Sequence, residues 1–357
     1  MPSKRNKYKR LRERVVEYMI TVGKTIYLLS EGIYVHCDDD TVTFEMKNGT
    51  KQSLAYHVIS EIIIFYNTTL SSYIMYKCSE HKIIIHYISR NGYYMGCFSG
   101  RVTGNVLLTK KQFDMINSDK SVDYVRNLIC CKIRNSIWVL NYFGHHSVDK
   151  DNIKIIVDRM RDYIVSLKKL DNIDDIRILE ANAASAYFSA FDYLLKTDDS
   201  DMIFGSRSKR PALNNVNALL SFFYTFATSI CTSALLCAGL NSECGYLHTL
   251  RSGRHSLACD LVEEFRACIV DRFVITIINR KEVVSSDFCH DPSGIRLTED
   301  GRKKLLQKWE KYLDTTSVVH LLYNKNISLR VLFYEQAQFL AQYIRGDIDE
   351  YPAFLMK

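Results

Sequence analysis

Proline, glycine and paired cysteines are scarce in this chain, and each shortage excludes a class of protein. Among 357 residues there are 4 prolines and 15 glycines, which excludes a collagen-like chain and makes long flexible linkers implausible. The 11 cysteines are an odd number, and no two of them are spaced as CxxC. A secreted disulfide framework would show even numbers and close spacings. The first residues lack the apolar stretch of a signal peptide, so we expect reduced thiols and a cytoplasmic protein.

Several catalytic motifs are also missing. The sequence contains no P-loop, no GxGxxG dinucleotide-binding fingerprint, no GxSxG nucleophile motif, no HExxH and no zinc-finger spacing. Nucleotide hydrolysis, hydride transfer and serine-nucleophile chemistry therefore have no support in the sequence. A cysteine nucleophile has little support, because no cysteine stands in a distinguishing context.

Charged residues are present in ordinary amounts, with a mild basic excess. Lys and Arg number 47 against 40 Asp and Glu, so the formal net charge is +7. This balance permits a nucleic-acid partner without requiring one. Residues 1–14 form a basic arm in which Glu13 is the one acid. The arm is either a solvated terminus or a segment that contacts phosphate, and the sequence favours the first interpretation.

The spacing of apolar residues changes along the chain and divides it in two. Residues 25–100 hold short segments rich in β-branched and aromatic residues, separated by turn signals, which is typical of strands. From 110 onward the apolar period is three to four residues, which is typical of helices. Helices are predicted near 120–142, 150–169, 174–196, 212–239, 256–280, 298–314 and 327–346.

These patterns predict an α+β multidomain protein. A small N-terminal β-rich domain is followed by a large all-helical catalytic domain. The predicted boundaries are a basic N-terminal extension at 1–24, the β-rich domain at 25–100, a connector at 101–109 and the helical domain at 110–357.

One predicted helix is long and uncharged. No charged residue occurs from 211 to 242, a length that could cross a bilayer. Hydroxyl side chains recur every three or four residues within it, at Ser221, Thr225, Thr228 and Thr232. A polar stripe on one face favours a buried helix of a large domain over a lipid-facing one. A single-span membrane protein is the less favoured alternative.

The densest group of chemically useful side chains lies in residues 245–266. A glycine-punctuated loop leads into a helix that opens near Ser256, a good N-cap residue. Together they carry His248, Arg251, Arg254, Asp260, Glu263 and Glu264. Periodicity alone favours a solvated acidic face for Asp260 and Glu263. A histidine, two arginines and a carboxylate pair within so few residues also fit a metal-and-phosphate site, and both interpretations stay open.

Two further segments carry candidate residues. Glu180 stands among small residues at 180–188, where a helix can approach a neighbour closely, although such a glutamate is usually solvated. Three basic residues, Arg207, Lys209 and Arg210, precede the uncharged helix. They form either an ordinary surface loop or a phosphate-contact strip beside a site.

Taken together, these motifs resemble the CRISPR spacer-acquisition integrase family, the first of the CRISPR-associated (Cas) proteins. The stretches that carry the resemblance are 180–188, 207–224, 245–266 and 343–355, with smaller matches that begin at Gly104 and Gly294. The third stretch is the most specific. The tail, Tyr-Ile-Arg-Gly-Asp-Ile-Asp-Glu-Tyr-Pro-Ala-Phe-Leu, indicates the form found in subtype I-C systems.

The resemblance implies a set of site residues. The metal ligands and catalytic residues it implies are Glu180, His248 and Glu263, with Asp260 as an accessory acid one turn earlier. Carboxylates with one imidazole suit Mg²⁺ or Mn²⁺. The DNA-binding candidates are Arg207, Lys209, Arg210, Arg251 and Arg254. The chain departs from the family pattern at Ala181, Asn215 and Ala267, none of which is a ligand, and Ala181 is expected to tighten a helix contact.

The resemblance also implies an activity and partners. The activity is that of a metal-dependent DNA endonuclease and integrase, which inserts captured spacers into the CRISPR array by attack of a 3′-hydroxyl on a phosphodiester. The partners are double-stranded DNA (spacer precursor and CRISPR repeat), a second copy in a homodimer, and the second Cas protein in a heterohexameric complex. Participation of the fourth Cas protein stays open. The alternative is a catalytically inactive DNA-binding scaffold of the same fold.

Overall fold

The computed structural model describes residues 23–89, 94–100, 106–145, 147–209, 211–292, 294–319 and 326–357. Three features of the sequence lie outside these residues. They are the basic arm at 1–14, the DNA-binding candidate Arg210 and the start of the motif at Gly104.

Two four-stranded sheets make up the N-terminal part of the described chain. The strands are β1 (Lys24–Leu28), β2 (Tyr34–Asp38), β3 (Thr41–Glu45), β4 (Lys51–Ala55), β5 (Ile59–Ile64), β6 (Thr69–Leu70), β7 (Ile84–Ile88) and β8 (Tyr94–Phe98). The sheet orders are β1-β5-β7-β8 and β4-β3-β2-β6. β1, β5 and β7 pair in parallel. The nearly continuous apolar run of β5 is typical of a strand covered on both faces.

Turn residues set the antiparallel hairpins of the second sheet. Asp39 adopts a φ of 47° between β2 and β3, and Gly49 adopts a φ of 79° between β3 and β4. The side chain of Asn48 accepts a hydrogen bond from the amide of Thr50 at 3.0 Å, which closes the second turn. A helix, α1 (Ser72–Glu80), follows β6.

The rest of the described chain is mainly helical, so the predicted fold class is confirmed. The helices are α2 (Val106–Asp114), α3 (Asp119–Gly144), α4 (Lys150–Leu167), α5 (Ile173–Ser189), α6 (Asn215–Cys237), α7 (Ser256–Leu261), α8 (Arg272–Asn279), α9 (Glu299–Thr315) and α10 (Leu329–Arg345). The final residues, 346–357, form a tail that begins with a turn and contains neither helix nor strand.

Two details of the sequence prediction are wrong. The chain is already helical at Val106, within the predicted connector at 101–109. The part predicted to be all-helical also holds two short antiparallel hairpins. Their strands are β9 (Phe288–Asp291) with β10 (Gly294–Leu297), and β11 (Ser317–Val319) with β12 (Asn326–Ser328). Strands of three or four residues are too short to show the alternation by which a strand is predicted.

α6, the uncharged helix, lies at the centre of the helical core. The ring of Phe223 packs against those of Phe273 and Trp309, with centroids 4.9 and 5.2 Å apart. Within the described ranges α6 is the one helix long and apolar enough to cross a membrane, with a mean hydropathy of 1.6. However, 72% of its apolar window is buried inside the protein. Such burial is that of a core helix, as the polar stripe predicts.

Candidate active site

A cleft of about 1550 Å³ opens among the helices, lined by residues of α3, α5, α6, β10 and the loop before α7. The hydroxyl stripe of α6 faces this cleft. Thr225 and Thr228 donate hydrogen bonds to carbonyl groups one turn earlier in the helix, at 3.0 and 2.7 Å. The stripe therefore marks the side of α6 that looks onto a polar cleft.

Glu180 stands on α5, and the packing of that helix directs its carboxylate. The side chain of Asn172 caps α5 by accepting two backbone hydrogen bonds, at 2.8 and 3.1 Å. Leu179 is buried on the core side, while Glu180 lines the cleft together with the buried Ala183. Ala181 is exposed, so the expectation that it tightens a helix contact is wrong.

His248 is held in place by Asp260. The two oxygens of this fully buried carboxylate accept hydrogen bonds from three consecutive backbone amides, those of Tyr246, Leu247 and His248, at 2.6–2.9 Å. Asp260 also accepts a hydrogen bond from His248 Nδ1 at 2.7 Å. With the proton on Nδ1, Nε2 keeps its lone pair, and Nε2 lies 4.0 Å from Glu263 Oε1. Asp260 thus fixes both the orientation and the tautomer of the ring.

The helix after this loop begins at Ser256, as predicted, but with a different N-cap residue. The N-cap residue is His255, so the capping role predicted for Ser256 is wrong. The Ser256 hydroxyl instead donates to the carbonyl of Thr249 at 3.1 Å. This hydrogen bond joins the first residue of the helix to the loop that precedes it.

Glu263 stands where the helix changes its winding. The single helix predicted at 256–280 consists of four segments: α7, a 3₁₀ turn at Val262–Glu264, a π-helical segment at Arg266–Asp271, and α8. Mid-helix changes of this kind are frequent at functional sites. Asp260, Glu263 and Glu264 are all buried, so the solvated acidic face favoured by periodicity is wrong.

Two positively charged side chains lie beside the Glu263 carboxylate. Lys132, on α3, donates a hydrogen bond to Glu180 Oε1, and its Nζ lies 2.7 Å from Glu263 Oε2. Arg266 Nε lies 3.0 Å from Glu263 Oε1. The Lys132 ammonium therefore joins Glu180 to Glu263, and His248 Nε2 lies 4.0 Å from the Glu263 carboxylate.

The sequence did not single out Lys132, although a signal was available. Lys132 follows the buried Leu128 by one helical turn and precedes the buried Ser136 by another, so it stands on the inward face of α3. A charge on such a face needs a partner. The partner itself, Glu180, is 48 residues away and cannot be identified from local pattern.

Glu263 is ionised although it is buried. Burial raises its pKa, but Arg266, Lys132 and the nearby His248 outweigh burial and bring the pKa to about 2. Lys132 pairs with Glu263 Oε2 across 2.7 Å. A buried carboxylate oxygen of this kind is what a hard divalent cation takes as a ligand.

Glu264, the next residue, points into the interior instead. Its carboxylate accepts hydrogen bonds from the Tyr351 hydroxyl, from the Phe354 amide at 2.8 Å and from Gln336 Nε2 at 2.8 Å. Burial raises the pKa of Glu264 to about 7, although these hydrogen bonds lower it. Adjacent glutamates therefore lie in opposite environments, and only Glu263 lines the cleft.

Basic side chains surround the three candidate ligands. All the DNA-binding candidates that the structure describes line the cleft: Arg207, Lys209, Arg251 and Arg254. The cleft also holds basic residues that the motifs did not single out: Lys132, Arg177, Arg266, Arg296 and Arg302. Its acidic lining among the described residues is limited to Glu180, Glu263 and Asp271. A wall with this excess of positive charge suits a polyanion.

The basic candidates differ in how tightly they are held. Arg207 donates hydrogen bonds to Asn217 Oδ1 at 2.7 Å and to Ser221 Oγ at 3.2 Å, and burial lowers its pKa. Arg207 therefore stabilises the first turns of α6 and also lines the cleft. Lys209 and Arg251 are exposed.

Asp271 is a buried carboxylate on the cleft wall. It accepts hydrogen bonds from the hydroxyls of Tyr224 at 2.6 Å and Tyr187 at 3.0 Å. Burial raises its pKa to about 6 despite these hydrogen bonds. Because Tyr187 stands on α5, two turns after Glu180, Asp271 ties that helix to the segment that follows Glu263.

The family model for CRISPR associated protein Cas1 matches residues 26–311. The chain belongs to this family. It is 34% identical over 341 residues to a CRISPR-associated endonuclease Cas1 of Rhodospirillum rubrum, and 32% identical over 338 residues to one of Moorella thermoacetica. Each alignment covers 93% of this chain and 98% of the relative.

Solved structures share the fold. A CAS1 protein from Thermotoga maritima superposes with a TM-score of 0.79 at 24% identity, covering 90% of this chain and 97% of that one. A casposase bound to integration product gives a TM-score of 0.79 at 19% identity, covering 93% and 94%. A chain of a Cas6-RT-Cas1–Cas2 complex gives a TM-score of 0.81 at 20% identity, covering 97% and 37%.

The three candidate ligands suit a divalent cation by their chemistry. Two carboxylates and an imidazole with a free Nε2 are oxygen-rich donors with one nitrogen, a set that Mg²⁺ and Mn²⁺ accept. As they stand, however, no three His, Cys, Asp or Glu side chains in the described ranges are grouped tightly enough to hold an ion. The Lys132 ammonium lies between the two carboxylates.

Proposed function

We propose that this chain is a metal-dependent DNA endonuclease and integrase of CRISPR adaptation. The observation that carries the proposal is that Glu180, His248 and Glu263 line the same cleft, which is rich in Arg and Lys. Membership of the Cas1 family, whose relatives above are named endonucleases, supports it.

The metal in this proposal is Mg²⁺ or Mn²⁺, held by the three residues named above. Bound there, the ion supplies Lewis-acid polarisation of the scissile phosphodiester and stabilises the charge that develops on its oxygens. Asp260 keeps the His248 proton on Nδ1 and leaves Nε2 available. Arg266 holds the ionised Glu263 carboxylate in position.

The exposed basic residues bind DNA backbone in this proposal. Lys209 and Arg251 lie on the same cleft as the candidate ligands, so a phosphodiester can reach both. The nucleophile is the 3′-hydroxyl of the incoming DNA in integration and water in cleavage. The substrates are the double-stranded spacer precursor and the CRISPR repeat.

We propose the partners from family membership and shared fold. They are a second copy in a homodimer and the second Cas protein in a heterohexameric complex, and the shared fold with a chain of a Cas6-RT-Cas1–Cas2 complex supports this. We also propose the subtype I-C form and a cytoplasmic location. The tail motif supports the first, and the burial of α6 supports the second. Pull-down with purified second and fourth Cas proteins tests which of them binds.

The adjacent glutamates give a matched test of this function. Glu263→Gln should lower Mn²⁺-dependent integration and cleavage at least about hundredfold, since a ligand carboxylate is lost. Glu264→Gln makes the same substitution one residue away, keeps the hydrogen-bonding shape and should leave most activity. Strand transfer into a supercoiled plasmid carrying a CRISPR repeat measures the first activity.

Three outcomes decide the proposal. Loss of activity with Glu263→Gln but not Glu264→Gln supports it. The reverse result would place the ligand one residue later. DNA binding without any metal-dependent strand transfer or cleavage in the wild-type protein would favour the inactive scaffold instead.

A further inference from the structure

Lys132 occupies a position that the proposed metal function does not explain. Its Nζ contacts Glu180 Oε1 and lies 2.7 Å from Glu263 Oε2, so one ammonium bridges the two carboxylates. Only 16% of the Lys132 side chain is exposed. The contact is therefore a largely buried ion pair and not a contact of a mobile surface lysine.

The helix that carries Lys132 is held firmly on its inner side. Asn135, one turn further along α3, donates hydrogen bonds to the carbonyls of Glu264 at 2.9 Å and Phe354 at 3.0 Å, and accepts one from the Met356 amide at 3.0 Å. The first of these bonds ties α3 to the turn that holds Glu263. The lysine stem therefore starts from a fixed point, so any change in the position of the ammonium requires rotation of the side chain.

A metal ion and this ammonium need the same oxygen atoms. A divalent cation bound between Glu180 and Glu263 takes carboxylate lone pairs at 2.0–2.6 Å. An ammonium contacting both carboxylates then lies within a few ångströms of the ion, where like charges repel strongly in a poorly solvated site. Both cations cannot sit between the carboxylates together.

We propose that Lys132 is an internal counter-ion, which holds the two carboxylates together before a metal ion binds and which the ion must displace. The inference rests on the proposed metal function. Displacement leaves the ammonium beside the ion, on the cleft where a DNA phosphate arrives. Lys132 is thus a positioning residue, and metal loading is coupled to the rotation of one side chain.

Direct Mn²⁺ binding tests this inference without using activity. Free Mn²⁺ is measured by electron paramagnetic resonance during titration of the full-length wild-type protein and Lys132→Met at one pH and ionic strength. Removal of the competing charge should tighten Mn²⁺ binding about tenfold or more. It should also lower the melting temperature of the metal-free protein and enlarge the rise in melting temperature on adding Mn²⁺. If Lys132→Met does not fold, the same measurements are made on Lys132→Gln.

Two further variants separate this inference from the proposed function. Lys154→Met removes an exposed lysine of α4 and should bind Mn²⁺ like the wild type. Glu263→Gln should weaken binding. If it binds Mn²⁺ as the wild type does, or the wild type binds none, the proposed metal site is wrong and the inference falls with it. If Glu263→Gln weakens binding while both folded Lys132 variants bind no more tightly than the wild type, only the counter-ion role is overturned.

Discussion

Asp260, Glu263 and Glu264 are three buried acids within five residues, and their partners give each a different task. Asp260 accepts hydrogen bonds from the loop that carries His248 and so orients a ring. Glu264 accepts hydrogen bonds from the C-terminal tail. Glu263 faces cations and the cleft. At this scale the partners of a carboxylate decide its role.

The two arginines beside His248 give a prediction at the same scale. Asp260 and Glu264 already have other partners, so the arginines are not needed to neutralise those carboxylates. Arg251→Ala or Arg254→Ala should weaken binding to all DNA sequences alike. Each should also reduce the slope of log affinity against log salt by about one, because one phosphate contact is lost.

Fluorescence anisotropy over a series of salt concentrations measures this slope. Arg280→Ala is the control, because Arg280 is exposed and lies outside the cleft lining. A lowered melting temperature with an unchanged slope would mean that Arg251 and Arg254 have a structural role only, and would remove them from the DNA-binding residues.

The irregular helix and the tail act together at the scale of elements. The 3₁₀ turn at Val262–Glu264 places Glu263 on the cleft and Glu264 in the interior. The tail at 346–357 packs between Glu264 and α3, where Cys131 Sγ donates to the Phe354 carbonyl at 2.5 Å. The tail therefore holds the back of the site in place.

The raised pKa of Glu264 predicts a pH-dependent stability. A pKa of about 7 means that the folded protein binds a proton that the unfolded chain releases near pH 4.5. The stabilising effect is fully present below the unfolded pKa and is lost as pH rises to the folded one. Between pH 5 and 7 the stability of the wild type should fall relative to Glu264→Gln by about 1.4 kcal/mol per pH unit.

Melting temperatures of the two proteins at pH 5.5, 6.5 and 7.5 check this dependence. The difference between them isolates Glu264, because Asp271, whose pKa is also raised, is common to both. A difference in melting temperature that stays constant with pH would mean that Glu264 titrates in its ordinary range.

At the scale of the whole molecule, buried polar groups join the β-rich part to the helical part. Glu61, on β5, accepts hydrogen bonds from Thr25 at 2.9 Å and from Ser233 of α6 at 2.6 Å. His86 of β7 lies 2.7 Å from the Ser233 hydroxyl through Nε2. The two parts therefore meet through specific hydrogen bonds as well as apolar contact.

Arg330 is the charge at this junction whose loss should cost most. It is 4% exposed and donates to Thr25 of β1 at 3.0 Å and to Glu310 and Asp314 of α9 at 2.5–2.6 Å. Arg330→Ala removes a buried donor from Glu310, whose side chain is 21% exposed, and from the buried Thr25, so we expect a loss of roughly 1–3 kcal/mol. Thermal melting measures the loss. Arg345→Ala, at an arginine of the same helix whose side chain is 34% exposed, should change little, and equal effects of the two substitutions would contradict the role of Arg330.

Local pattern alone determined the order of elements and most helices. Apolar spacing of three to four residues predicts α3, α4, α9 and α10 within a few residues, and the hydroxyl stripe of α6 predicts a buried helix with one polar side. The resemblance to the Cas family, carried by short motifs, implied Glu180, His248 and Glu263 as site residues. These properties depend on residues close in sequence, so the sequence is sufficient for them.

Only the tertiary structure decided what surrounds those three residues. Lys132 donates a hydrogen bond to Glu180, which is 48 residues away in the sequence. Glu264 accepts one from the Phe354 amide, which is 90 residues away. The change from α to 3₁₀ to π winding at Glu263, and the choice of His255 over Ser256 as N-cap, also depend on what packs against that segment. Contacts between distant residues form only when helices pack, so no periodicity along the chain encodes them.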